Sequence, residues 1–161
     1  METVIMVQIA DRDWTLEALH CAGVMARERA AHEGASKIAL VKMIPVQHLG
    51  WLGTEMGYID LSEKDQQELT DYVETLEDYG VEYDLYPFQY ATLPDAIVQV
   101  AEHLDAQVVF ATLPASRIPF WQRFQFSEVR RHLAQNQREL VERLEYACTP
   151  ALSLSPVPSE V

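Results

Sequence analysis

The chain has 161 residues, of which 48% are hydrophobic, and a formal net charge of −13. This length and composition suit one compact domain, predicted over residues 1–155 with a tail at 156–161. The negative charge disfavours nucleic acids and anionic membranes as partners, because both repel an acidic protein. No apolar run approaches the roughly 18–20 residues of a membrane span, and the N-terminus has no basic leader. We therefore expect a cytoplasmic protein that binds neither nucleic acid nor membranes.

Short apolar runs alternate with longer helical patterns along the chain. The first half predicts a strand at 3–10, a helix from Asp13 to Gly34, a strand at 37–46 and, after a connection at 47–61, a helix from Ser62 to Gly80. The second half predicts a strand at 81–89, a helix at 92–104, a strand at 106–113, a helix from Ser127 to about 147 and a strand at 149–156.

This alternation of strands and helices is typical of an α/β fold. It predicts an open, Rossmann-like, five-stranded parallel sheet with helices on both faces. Ligands of such folds bind at the carboxyl ends of the strands. The candidate positions are therefore Asp11 and Asp13 after the first strand, Met43 near the end of the second, residues 90–92 after the third, and the loop that starts at Ala111.

Three stretches carry a resemblance to a known family. They are "IADRDWTLEALHCAGVMARERAAHEGASKIALVKMIPV" at 9–46, "LPDAIVQVAEHLDAQVVFAT" at 93–112 and "CTPALSLSP" at 148–156. In order and spacing they resemble a universal stress protein. The resemblance implies a homodimer paired through the closing strand, here "ALSLS" at 151–155. In nucleotide-binding members it also implies a loop of the form G-x2-G-x9-G-[ST] after the fourth strand, which holds the phosphates of ATP.

The chain departs from the family at that loop. Spacing puts the family's glycines on Thr112, Ala115, Ile118 and the position before Ser127, yet no glycine follows Gly80. A Cβ atom blocks close approach of the backbone to an anion, and a proline removes an N–H. We therefore predict that the usual ATP site is defective and that no cofactor is bound, with ATP or AMP plus magnesium as the alternative.

Two further positions match the family's nucleotide contacts. Asp11 matches the aspartate that meets the nucleotide, and the neighbouring Asp13 completes an acidic pair; the alternative for both is a role in capping the helix. Met43 falls where an aliphatic residue meets the adenine, and its alternative is a place in the core.

The segment "SRIPFWQRFQF" stands where the glycine loop is missing, and two interpretations remain open. Its large apolar side chains fill the emptied nucleotide cleft, or they stay exposed as a surface for a protein partner within residues 117–131. In one form of the second interpretation, arginines such as Arg117 and the N-terminus of the Ser127 helix hold an anion. The residues concerned are Ile118, Phe120, Trp121, Phe124 and Phe126, flanked by Arg117, Arg123, Arg130 and Arg131.

No enzymatic motif stands out. Neither the five histidines nor the cysteines show the spacing of metal ligands, and no G-x-S-x-G or phosphate-binding lysine loop occurs. The missing aspartate and lysine after the third and fifth strands argue against a phospho-acceptor receiver domain. The sequence thus predicts a universal stress protein-like binding or signalling module without enzymatic activity. The alternative is a nucleotide-binding protein or slow ATPase that uses an altered, arginine-assisted loop.

Overall fold

The computed structural model describes residues 2–32, 34–46, 63–115 and 117–141. Five strands form one parallel sheet in the order β3-β2-β1-β4-β5, which confirms the predicted α/β fold. None of the four helices in these ranges combines the length and apolar character needed to cross a membrane. The elements are β1 (Thr3–Ile9), α1 (Arg12–His32), β2 (Ser36–Pro45), α2 (Glu63–Tyr79), β3 (Glu82–Tyr90), α3 (Leu93–Leu104), β4 (Ala106–Phe110), α4 (Trp121–Gln135) and β5 (Glu139–Val141).

The central strand β1 is apolar almost throughout because both of its faces are covered. Ile5 and Val7 belong to a core layer that includes residues of α1 and α2. Met6 points the other way, into a second layer that includes residues of α3 and α4. All three side chains are fully buried. Since side chains alternate across a strand, a strand between two helical layers needs apolar residues at consecutive positions.

Helices α1, α2 and α3 begin close to where the sequence predicts, with two differences in capping. Asp11, and not Asp13, stands in the cap position of α1: its carbonyl oxygen accepts from Thr15 N–H at 2.8 Å. Its carboxylate lies 3.5 Å from the backbone nitrogen of Trp14. At α3, Thr92 is the N-cap residue, and its hydroxyl donates to the Asp95 carboxylate at 2.8 Å instead of completing a reciprocal capping box.

The predicted helix at 127–147 is wrong at both ends. Helix α4 begins at Trp121 and ends at Gln135, and β5 occupies residues 139–141, inside the predicted helix. Gln137 adopts a left-handed φ of 62° that ends the helix. Arg138 then donates to the Ala106 carbonyl at 2.8 Å, which fixes the entry into β5 beside β4. The predicted strand at 149–156 and the pairing segment 151–155 lie outside the described residues.

Candidate functional site

The residues predicted to meet a nucleotide lie along the carboxyl edge of the sheet. Asp11 follows β1, Met43 is near the end of β2, and Thr112 follows β4, which is the neighbour of β1 on the side away from β2. Met43 is 9% exposed and belongs to the second core layer. Asp13 points into solvent with 89% of its side chain exposed, 3.7 Å from Arg12. The structure therefore gives Asp11 a helix-capping role and Met43 a place in the core. Asp13 neither caps the helix nor lies in the core.

The crevice between β1 and β4, where the strand order reverses, is bridged by a side chain that the sequence analysis did not single out. Gln8 on β1 is 4% exposed, and its Oε1 accepts a hydrogen bond from the backbone N–H of Thr112 at 2.9 Å. This N–H lies where an anion-binding loop would begin, and it is already engaged. Gln8 is a polar residue in an otherwise apolar run, so the signal for its role was present in the sequence.

Several backbone donors of the loop between β4 and α4 are engaged or missing. Ala111 N–H is directed to the Val141 carbonyl at 3.3 Å, and Pro114 and Pro119 have no N–H. Ala115 and Arg117 are exposed. Ser127, predicted to begin the last helix, is an exposed residue inside α4, more than a turn beyond its start. The predicted combination of Arg117 with a helix N-terminus at Ser127 is therefore wrong.

Four large apolar side chains of this segment face solvent. Ile118 is 63% exposed, Phe120 75%, Trp121 43% and Phe124 53%. Phe126, in contrast, is half-buried and packs against the second core layer. The interpretation in which these residues plug an emptied cleft is therefore wrong for four of the five. We call the four exposed residues, together with Arg117 and Arg123, the aromatic–arginine surface.

Phe120 is held in a backbone conformation that L-residues avoid. Its φ is 66° and its ψ −2°, and Trp121 N–H donates to the Ile118 carbonyl at 3.2 Å. With Pro119 at the second position, this is the geometry of a type II turn, whose third position usually requires glycine. A left-handed conformation costs a residue with a Cβ about 1–2 kcal/mol. A phenylalanine that is both strained and exposed points to a role outside the fold.

The surface is supported by the ordered helix behind it. Val129 and Leu133 bury α4 against the sheet, and Gln122 Nε2 donates to the Leu113 carbonyl at 2.7 Å, which fixes the first turn. On the outer side, the rings of Trp121 and Phe124 stack with their centroids 5.4 Å apart. The guanidinium of Arg123 lies 5.9 Å from the centroid of the Phe120 ring, within the range of a cation–π contact.

Two of the cavities among the described residues lie elsewhere on the sheet. One, of about 330 Å³, is lined by residues of β3 and α3 that include Tyr86, Phe88 and His103. The other, of about 30 Å³, lies between α2 and the ends of β1 to β3 and has Tyr72 in its wall. Neither is lined by Asp11, Thr112 or Ala115. In the described part of the chain, no group of three histidine, cysteine or acidic side chains is placed to hold a metal ion.

Comparison with known proteins identifies the fold. No protein-family model matches the chain, and no curated protein matches it in sequence. A universal stress protein from Archaeoglobus fulgidus superposes with a TM-score of 0.55 at 16% identity, over 86% of this chain and 91% of that one. A universal stress protein family member from Burkholderia pseudomallei gives 0.54 at 14%, over 86% and 93%. The resemblance seen in the sequence is thus confirmed as a shared fold.

Proposed function

We propose that this protein is a universal stress protein-like binding or signalling module that acts through the aromatic–arginine surface and does not turn over a substrate. The observation that carries the proposal is the exposure of Phe120 in a strained turn. The proposal also places the protein in the cytoplasm, as a homodimer paired through residues 151–155.

The surface has the composition of a protein interface. Aromatic residues and arginine are enriched at such interfaces and supply most of their strongly contributing residues. Three aromatic side chains, one isoleucine and two arginines lie within residues 117–124. Since Gln122 and the buried side of α4 hold the first turn in place, little conformational entropy is lost when a partner covers it.

The same loop argues against nucleotide binding in the manner of the family. A phosphate site of this kind needs several free backbone N–H groups that converge on one anion. Here the Thr112 N–H is bound to Gln8, two loop positions are proline, and the remainder carry a Cβ. These features support the loss of the ATP site.

The proposal is tested with two measurements on the full chain. In the first, tagged wild-type protein and the variants Phe120→Gly and Phe124→Ala are used to recover partners from host-cell lysate. Leu85→Ala serves as the matched control, because Leu85 is also an exposed apolar residue (43%) and lies on β3. We expect a protein that is recovered by wild type and by Leu85→Ala, and is lost with both variants of the surface. Equal recovery by all four proteins would contradict the proposal.

In the second measurement, thermal unfolding is followed with millimolar Mg-ATP, ADP or AMP. A ligand present at about 100 times its dissociation constant stabilises a protein by about 2.7 kcal/mol. We expect no shift with any of the three. A clear shift with ATP would show that the chain holds nucleotide without the glycine loop.

A further inference from the structure

We infer that the partner bound by the aromatic–arginine surface is a protein segment whose apolar side chains are flanked by carboxylates, such as an acidic amphipathic helix. This inference rests on the proposed function and adds the chemistry of the partner. Three observations carry it: the size of the apolar area, the local charge, and the contact between Arg123 and Phe120.

The apolar part of the surface matches the largest apolar patch of a typical monomer and is small for a complete interface. With about 200 Å² for a whole side chain of this size, the exposed fractions of the four residues leave roughly 450 Å². The largest apolar patch on a typical monomer is about 300–600 Å², whereas each side of a standard interface buries about 800 Å². The partner therefore also covers the polar groups that surround the patch.

The charged residues of this segment are mostly cationic, in contrast to the chain as a whole. Residues 117–135 contain four arginines and one glutamate, while the whole chain has a net charge of −13. Arg117 and Arg123 are exposed and have no ion-pair partner among the described residues. Arginine binds carboxylates through two parallel hydrogen bonds. The surface therefore complements carboxylates that lie next to apolar side chains.

Arg123 places its charge directly beside the apolar area, since its guanidinium lies 5.9 Å from the Phe120 ring centroid. A partner that covers Phe120 must also meet this guanidinium. A carboxylate on the partner would form an ion pair with this guanidinium. An entirely apolar partner would bury the positive charge without a counter-charge, which is unfavourable.

The charge distribution favours a protein segment over an anionic bilayer. A bilayer presents negative charge to the whole facing side of the protein, including acidic residues beyond the patch. Electrostatic interactions between exposed charges are largely screened beyond about 8 Å at physiological ionic strength. A narrow acidic segment can therefore respond to the local arginines, whereas a flat membrane also meets the charge of their surroundings.

The test uses two designed helical peptides with the same leucine face. All of the remaining positions are glutamate in one peptide and lysine in the other. Binding of the labelled peptides to the full chain is measured by fluorescence anisotropy. If the net charge of −13 controlled binding, the lysine peptide would bind more tightly; the local surface predicts the reverse. We expect the glutamate peptide to bind at least tenfold more tightly, and to be weakened by Phe120→Gly, by Arg117→Gln/Arg123→Gln and by added salt.

Three results would overturn the inference: a lysine peptide that binds as tightly, binding of the glutamate peptide that Phe120→Gly leaves unchanged, or association with phosphatidylglycerol vesicles and not with either peptide. Failure here is distinct from failure of the proposed function. If the lysate experiment recovers a protein in a Phe120-dependent way while the glutamate peptide does not bind, the binding surface stands and the inferred partner chemistry is wrong.

Discussion

The left-handed conformation of Phe120 leads to an unusual order of stabilities among its variants. At an ordinary helical position, alanine is more stable than glycine by about 1 kcal/mol. At φ 66° the order should be reversed, because alanine keeps the steric clash of a Cβ while glycine removes it. We predict that Phe120→Gly exceeds Phe120→Ala in free energy of unfolding by about 1 kcal/mol, which corresponds to about 2–4 °C in Tm for a chain of this size.

Ser127 provides the matched control within the same helix. It is exposed and lies inside α4, so Ser127→Ala should be more stable than Ser127→Gly by about 1 kcal/mol, the usual helical order. If Ser127 were the N-cap residue of the helix, Ser127→Ala would instead lose about 1 kcal/mol relative to wild type. The comparison therefore also tests where the helix begins.

All four variants are measured by urea denaturation and differential scanning calorimetry. The Phe120 side chain is exposed, so both of its variants lose the same few contacts and their difference isolates the backbone. If Phe120→Ala equals or exceeds Phe120→Gly in stability, the type II turn is refuted. Phe120 would then carry no backbone strain that a binding role has to explain.

Three further predictions concern the core. A Cβ on Gly23 would lie 2.7 Å from ring atoms of Tyr79, so Gly23→Ala should lower the free energy of unfolding by about 1–3 kcal/mol. If Gly23→Ala causes the same loss in a protein that already carries Tyr79→Ala, this clash is excluded. Gln8→Met removes the acceptor of the Thr112 N–H and should cost about 1–3 kcal/mol in urea denaturation, and a neutral result would mean that water replaces the amide. Burial raises the pKa of Tyr72 above its ordinary 10.0; the unfolded chain then loses this proton first, and the free energy of unfolding falls as pH rises past about 10. Tyr72→Phe should flatten that decline in urea midpoints between about pH 8 and 11, and an unchanged slope would assign it to other groups.

The first four strands and three helices were predictable because each has one dominant signal. In β1, Ile5, Met6 and Val7 are consecutive apolar residues, a pattern that suits a strand covered on both faces. Pro87 in β3 does not contradict a strand, since β3 lies at the edge of the described sheet, where proline is tolerated. The predicted boundaries differ from the observed ones by a few residues at most in these elements.

The last part of the chain gave no such signal. Residues 121–135 start without a serine, threonine, aspartate or asparagine cap, because a type II turn around Phe120 takes that place. The first residue of the predicted cap type after the turn is Ser127, which explains the late start. The turn at Asn136 and Gln137 interrupts a helical pattern that continues in the sequence to about residue 147, and β5 has only three residues, too few to show a period of two.

The late helix start also explains why the orientation of the aromatic side chains stayed open. The buried side of α4 is set by Val129 and Leu133. Followed back by three and seven residues, the helical period from Val129 reaches Phe126 and Gln122, and both are half-buried. Phe124, five residues before Val129, falls outside this stripe and is exposed, whereas Trp121, eight residues before Val129, lies at its border and is 43% exposed. A helix predicted from residue 121 would therefore also have predicted that Phe126 packs inward while Phe124 faces solvent. The absence of glycine after Gly80 and the exposure of the aromatic–arginine surface share one local basis: a type II turn and a helix start stand where the resemblance predicts a phosphate-binding loop.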